Sequence, residues 1–200
     1  MAYLLGKWSD ETQDLVSFWD EWINSTSPNL TSSLHLAGRE HDVAQVKDWL
    51  NESPSQLTIQ AESCEEAIAF FTSIIHEMPE DERVKYLSRC ILIKSEFSWR
   101  YLSSSQDSLI LIPTFNQLKS IPQNHHVLVP VGRETSPSKE ALKLSCLSRE
   151  GFKQVLVDMG FSEERAYALA KESKRSLLVL RRLLASNSEI HTPNWATPEN

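Results

Sequence analysis

Apolar residues along this chain follow two rhythms, and the change from one to the other divides it. Over residues 10–23, Leu15, Phe18, Trp19 and Trp22 recur every three or four positions among acids, which predicts an amphipathic helix. Residues 24–33, rich in Ser, Thr, Asn and Pro, read as a connection. Helical spacing returns over residues 38–50, with Val43, Val46, Trp49 and Leu50 on one stripe that Asn51-Glu52-Ser53-Pro54 ends. Four short apolar runs follow, at 57–60, 90–93, 109–113 and 127–131. Runs of this length, separated by helical sequence at 65–77, 79–88, 96–103 and 115–120, are what a parallel sheet buried on both faces requires. The expectation is an α/β fold with a sheet of four to five parallel strands and flanking helices.

Past Gly132 the strand rhythm fades. Residues 142–144 predict a last short strand, and three helices then follow with no strand between them. The first runs over 148–159 and is closed by Gly160; the second opens at Ser162-Glu163-Glu164, where a serine caps free amides and acids suit the positive helix end. The third, over 174–185, turns Leu177, Leu180, Leu183 and Leu184 inward. Together they predict a small three-helix lid.

Composition narrows the function more by exclusion than by indication. With 200 residues, 40% of them apolar, and six tryptophans, the chain can bury a sizeable core. A net charge of −7 disfavours nonspecific attraction to nucleic acid or to anionic membrane. The one basic concentration, Lys171, Lys174, Arg175, Arg181 and Arg182, is diluted by Glu163, Glu164 and Glu172. Cys64, Cys90 and Cys146 are odd in number and widely spaced, which fits neither a disulfide framework nor a CxxC pair. With no signal-like leader and no apolar stretch of membrane-spanning length, a cytoplasmic location is expected.

Catalytic signatures are missing too: the sequence has no GxSxG, HExxH, CxxC or GxGxxG. His125 and His126 are adjacent on a predicted strand, so their side chains diverge and cannot share a metal; one packed and one exposed ring is expected. His35 and His41 lie six positions apart, which is not a helical ligand spacing, and a surface role is expected for both. Glu62, Glu65 and Glu66 have the chemistry to hold a hard cation, but acids in a first helical turn already match the helix dipole. No catalytic and no metal-binding residue is assigned.

The most telling stretch is defined by what it lacks. Between Gly38 and Gly132 there is no glycine, and the strand Leu57-Thr58-Ile59-Gln60 runs straight into Ala61-Glu62-Ser63-Cys64-Glu65-Glu66-Ala67. A phosphate-cradling loop after such a strand needs small residues for close backbone approach and a lysine for charge. Upstream, His35-Leu36-Ala37-Gly38-Arg39-Glu40 leads into a helix and then that strand. In this the chain resembles the signal-transduction P-loop ATPases of the STAND group, relatives of the AAA+ ATPases, which open with an apolar-x-Gly-Arg-Glu box. The resemblance covers residues 34–184 and implies a P-loop NTPase-like fold. Carried over by position, it places Gly38 and Arg39 beside a nucleotide's base and residues 61–67 in the Walker A slot, with Ala61, Glu62 and Ser63 as its vestigial nucleotide-binding residues. It makes Ile91-Leu92-Ile93 the Walker B strand and residues 109–114 the sensor strand.

Two departures qualify it. The slot lacks its glycines, lysine and following Ser/Thr, and the Walker B strand runs into Lys94-Ser95 where magnesium-holding acids belong. With Glu62, Glu65 and Glu66 facing the same space, polyphosphate meets repulsion. The chain divides into an N-terminal helical extension (1–33), a P-loop-like α/β domain (34–146), a helical lid (147–186) and a flexible tail (187–200) that reads as the cut end of a longer protein.

The implied function is a regulatory or scaffolding pseudo-NTPase domain of a larger multidomain protein of bacterial signalling or defence type. It engages other domains of the same protein or protein partners, is compatible with an oligomer, and has no cofactor and no ordinary ATP hydrolysis. One alternative is an active NTP-binding domain, with ATP and magnesium, that uses an unusual phosphate site at Arg39 and Arg133. Arg133 follows Val131-Gly132 where open parallel sheets place their ligand crevice. A second alternative is a protein-binding module. Asp158-Met159-Gly160-Phe161-Ser162-Glu163-Glu164-Arg165-Ala166, within residues 148–185, resembles a ubiquitin-associated domain, whose Met-Gly-Phe loop contacts its partner.

Overall fold

A computed structural model describes residues 12–14, 17, 35–93, 109–113, 124–134, 141–145, 148–174 and 176–187. In chain order its elements are β1 (Thr12–Asp14), α1 (Glu40–Asn51), β2 (Gln56–Gln60), α2 (Cys64–His76), α3 (Glu80–Leu87), β3 (Cys90–Ile93), β4 (Ile110–Pro113), β5 (His126–Val131), β6 (Leu142–Lys143), α4 (Arg149–Asp158), α5 (Glu163–Glu172) and α6 (Leu177–Asn187). The sheet order is β1-β3-β4-β5-β2-β6. Strands β2 to β6 are all parallel, and β1 joins one edge antiparallel to β3. The arrangement is α/β, with flanking helices and a C-terminal group of three, and is consistent with a P-loop-like fold.

Side chains alternate across the sheet as a two-residue period demands. Ile59, Leu92, Ile110, Ile112 and Leu128 face one core together with Val46, Trp49, Phe70, Phe71 and Ile74 from α1 and α2. Ile93, Leu111 and Val127 build a second cluster on the opposite face. Helix α2 is buried at every position from Glu66 to Ile75, as a helix apolar around its circumference must be. Its two interior hydroxyls are satisfied locally: Thr72 donates to the Ile68 carbonyl at 2.8 Å and Ser73 to the Ala69 carbonyl at 2.7 Å. Pro130 is accommodated in β5 because β4 pairs only with His126 and Val127, so no ladder partner on that side needs its missing N–H.

Three expectations are corrected here. Thr12–Asp14 is an edge strand and not part of a helix over 10–23, because ladder hydrogen bonds to Ile91, Leu92 and Ile93 outweigh local helical spacing in so short a segment. His125 and His126 are both buried, with exposures of 1% and 5%. They do diverge: the His126 ring meets Trp49 edge-on at 4.8 Å, while His125 Nδ1 accepts from the Leu109 amide at 3.2 Å. His35, expected at the surface, is fully buried. The helices expected over 96–103 and 115–120 lie outside the described residues, as does the tail 188–200.

The three C-terminal helices enclose their own core of Phe152, Leu156, Ala166, Leu169, Leu177 and Leu180. Ser148 and Ser162 cap α4 and α5 by accepting from Gly151 and Arg165 amides. Core and lid share one short segment. Leu36 packs on the sheet-side core while its neighbour Ala37 packs on the lid core. Gly38, at φ +69°, follows; a Cβ there would come within 2.9 Å of the Ser148 backbone nitrogen, so only glycine allows α4 to begin against this turn.

Candidate functional site

In open α/β sheets, ligands bind outside the carboxyl ends of the strands where the order reverses. Here that point is β2, which lies between β5 and β6. Beyond its end is a cleft of about 370 Å³ lined by Arg39, Gln60, Ala61, Glu62, Glu66 and Arg133 together with Lys143, Leu144 and Ser145. Arg39, Ala61, Glu62 and Arg133, drawn from three distant stretches of sequence, therefore share one wall. Gly38 and Ser63 are not part of the lining. Gly38 is taken up by the contact with Ser148, and Ser63 caps α2.

The loop after β2 is only three residues long. The Ala61 amide donates to the Val131 carbonyl at 3.0 Å and continues the ladder to β5. Ser63 Oγ accepts from the Glu66 amide at 3.1 Å, so the helix begins at once and no wide ring of amides forms. Glu66, 3% exposed, folds its carboxylate back over this turn. Its Oε2 accepts from the Glu62 amide at 3.0 Å, and its Oε1 receives Arg39 at 3.0 Å. Ser63-Cys64-Glu65-Glu66 thus forms a capping box with the return bond shifted one residue upstream, from the cap residue to its predecessor.

Arg39, 5% exposed, has an acceptor at each of its three nitrogens. Besides Glu66 it donates Nε to the Ser145 carbonyl at 2.9 Å and Nη1 to the His35 carbonyl at 3.2 Å, and its guanidinium stands 5.6 Å from the Phe70 ring centre. Asp42, one turn along from the box, accepts from the Ser145 amide at 2.8 Å and hydroxyl at 3.2 Å. The charged start of α1 therefore clamps the end of β6. In this arrangement the Gly-Arg-Glu box serves as a structural joint between α1, α2 and β6.

Glu62, on the lid side of the cleft, has one oxygen 3.7 Å from Arg133 Nη1. Its other oxygen accepts a hydrogen bond from the Ser176 hydroxyl. Ser176 Oγ also accepts from the Val179 amide at 3.3 Å, which makes Ser176 the N-cap of α6 as well as the lid's polar tie to the loop. Arg133, by contrast, is 66% exposed. Cys64, at the first position of α2, donates its thiol to the Pro130 carbonyl at 3.5 Å; partial burial and the neighbouring Glu65 raise its pKa and keep it protonated.

The three carboxylates do not crowd one space. Glu65 is exposed and outside the cleft lining, while Glu62 and Glu66 each have their own cation and hydrogen-bond donors. Among the described residues no group of three or more His, Cys, Asp or Glu side chains is placed to hold a metal ion. The strand identified with Walker B, β3, is separated from β2 by both β4 and β5. That is roughly 14 Å at the usual strand spacing, too far for a residue at its end to position magnesium over the loop after β2. Strand β4 carries no acid either. The residues present do not fit Mg-ATP: the lysine is missing, and the seat beside the loop amide is taken by a carboxylate.

Ser145, Asp42, Lys143 and Ser176 complete the site and escape a position-by-position reading. Glu66, expected to face this space, also leaves a local trace, the Ser-x-x-Glu spacing to Ser63. At the far end of the lid, Gly160 at φ +92° is exposed, and Met159 and Phe161 lean on the lid core. No helix among the described residues is long and apolar enough to cross a membrane. No family model, curated protein or solved structure matches this chain.

Proposed function

We propose that this chain is a regulatory or scaffolding module built on a P-loop-like domain that does not carry out ordinary ATP hydrolysis. The observation that carries this reading is the Glu66 carboxylate, which takes the loop amide of Glu62 and the guanidinium of Arg39 for itself. Phosphoryl transfer depends almost entirely on positioned positive charge around the polyphosphate. Here the buried cation at the strand end, Arg39, is already neutralised, and a second carboxylate, Glu62, faces the same cleft.

Membership of the STAND or AAA+ group belongs to this proposal. It is supported by the Gly38-Arg39-Glu40 box, by its passage through α1 into β2, and by the three C-terminal helices, which Ser176 ties to the loop after β2. In such a module the lid and the N-terminal segment engage other domains or protein partners, and the core fixes their arrangement. The Leu36-Ala37-Gly38 joint supports this, because one short segment is shared by both cores.

Calorimetric titration of the full chain with millimolar Mg-ATP gives only heats of dilution on this reading. Saturable binding would instead favour the second reading, an unusual phosphate site. The open guanidinium of Arg133 and the exposed Lys143, both on the cleft, are the observations in its favour. In that case Arg133→Ala abolishes the heat.

A further inference from the structure

We infer that Glu66 is a built-in anion: its carboxylate occupies the seat that a phosphate would take beside the loop after β2, and removing it opens that seat to an added oxyanion. The inference rests on the pseudo-NTPase reading above and identifies the residue that excludes phosphate.

Three observations carry it. The seat has the donors an oxyanion needs, a guanidinium nitrogen of Arg39 and the backbone N–H of Glu62, each 3.0 Å from a different oxygen of the same carboxylate. Such charge-assisted bonds to a two-oxygen acceptor are also how arginine and loop amides hold phosphate. The guanidinium cannot swing away when the carboxylate is lost, because the Ser145 and His35 carbonyls fix its other nitrogens at 2.9 and 3.2 Å. Finally, Glu66 and Arg39 both line the cleft of about 370 Å³, so the seat has a route to solvent and room beside it. Glu62, the other carboxylate in the cleft, is held by Arg133 and by the Ser176 hydroxyl, which offset its repulsion of an incoming anion.

The experiment is chemical rescue of the full chain, read as melting temperature in inorganic phosphate or sodium formate against chloride at equal ionic strength. The wild type shows only the general effect of each salt on folded proteins, and the variants are read relative to it. Glu66→Ala melts lower, and both phosphate and formate recover part of the loss. The recovery is about 3–6 °C at roughly ten times the half-saturating concentration, as binding to the folded state alone requires. Arg39→Met in the Glu66→Ala background abolishes the recovery. If Glu66→Ala does not fold in chloride, its refolding yield in phosphate or formate against chloride is the readout, and native protein is recovered with either anion but not in chloride.

Rescue by neither anion would overturn the inference, and so would rescue that survives the loss of Arg39. Rescue by formate alone would show a seat of carboxylate size and overturn the phosphate assignment. These outcomes are separable from failure of the functional reading, which is marked by Mg-ATP binding to the wild type.

Discussion

Two arginines line the same cleft and live in opposite conditions. Arg39, on its floor, is 5% exposed and bonded to a carboxylate and two backbone carbonyls. Arg133, on its rim, is 66% exposed and has a single carboxylate at 3.7 Å. The floor is an interior assembly that fixes how α1, α2 and β6 meet, whereas the rim is a solvated surface whose charge is free to respond to surroundings. A guanidinium at the mouth of a strand-end crevice is thus not evidence of ligand binding until its partners are counted.

The contrast breaks most sharply on substitution of the floor. Breaking a buried pair leaves an uncompensated charge, so Arg39→Met is expected to cost about 3–5 kcal/mol of stability, measured by chemical denaturation. Arg133→Ala is expected to lie within about 0.5 kcal/mol of wild type. Equal effects from the two would erase the distinction between floor and rim.

A smaller loss is expected from Gly38→Ala, about 1–3 kcal/mol, because a Cβ at φ +69° meets the Ser148 backbone. Hydrogen exchange gives this prediction its sharper form: α4 to α6 lose protection while β2, β4 and β5 keep theirs. Ser176→Ala removes both the α6 cap and the bond to Glu62, and is expected to cost about 1 kcal/mol, with faster exchange confined to the first turn of α6.

The mildest effect depends on pH. Burial pushes the His126 pKa down, the Arg89 charge pushes it further, and Glu52 opposes both. Above the unfolded value near 6.5 the ring is neutral in both states and costs nothing. As pH falls below that value the unfolded chain takes up a proton that the folded chain resists. Stability therefore declines from about pH 6.5 down to the lower folded pKa and then levels off. His126→Leu, which keeps an apolar contact for Trp49, is expected to flatten this part of the stability profile.

The centre of the sheet was legible because β3, β4 and β5 are built on continuous apolar runs, a signal that does not depend on distant residues. The lid was legible for a related reason: Ser148, Ser162, Glu163 and the leucine stripe are local cues, and the helices fall within a few residues of where those cues put them. The three-residue strand Thr12–Asp14 was not legible, since nothing in Thr-Gln-Asp outweighs helical spacing until β3 offers an edge.

The candidate site divides in the same way. The absence of glycine and lysine after β2 could be seen in one window of sequence. The pairing that gives the absence meaning joins Arg39 to Glu66 across 27 residues and Arg39 to Ser145 across 106. No periodicity encodes such contacts; they follow from which strand ends the sheet order brings together. The burial of His35, His125 and His126 was hidden for the same reason, because an imidazole in a polar-looking stretch carries no mark of the layer that will cover it.

The most direct test follows the Glu62 backbone amide by NMR while Mg-ATP is added to the 200-residue chain. With its hydrogen bond to Glu66 intact, that resonance stays in place and remains slow to exchange throughout the titration. A saturable shift of the Glu62 amide, with loss of its protection, would mean that a nucleotide displaces the carboxylate, and would contradict the claim that this loop is occupied from within.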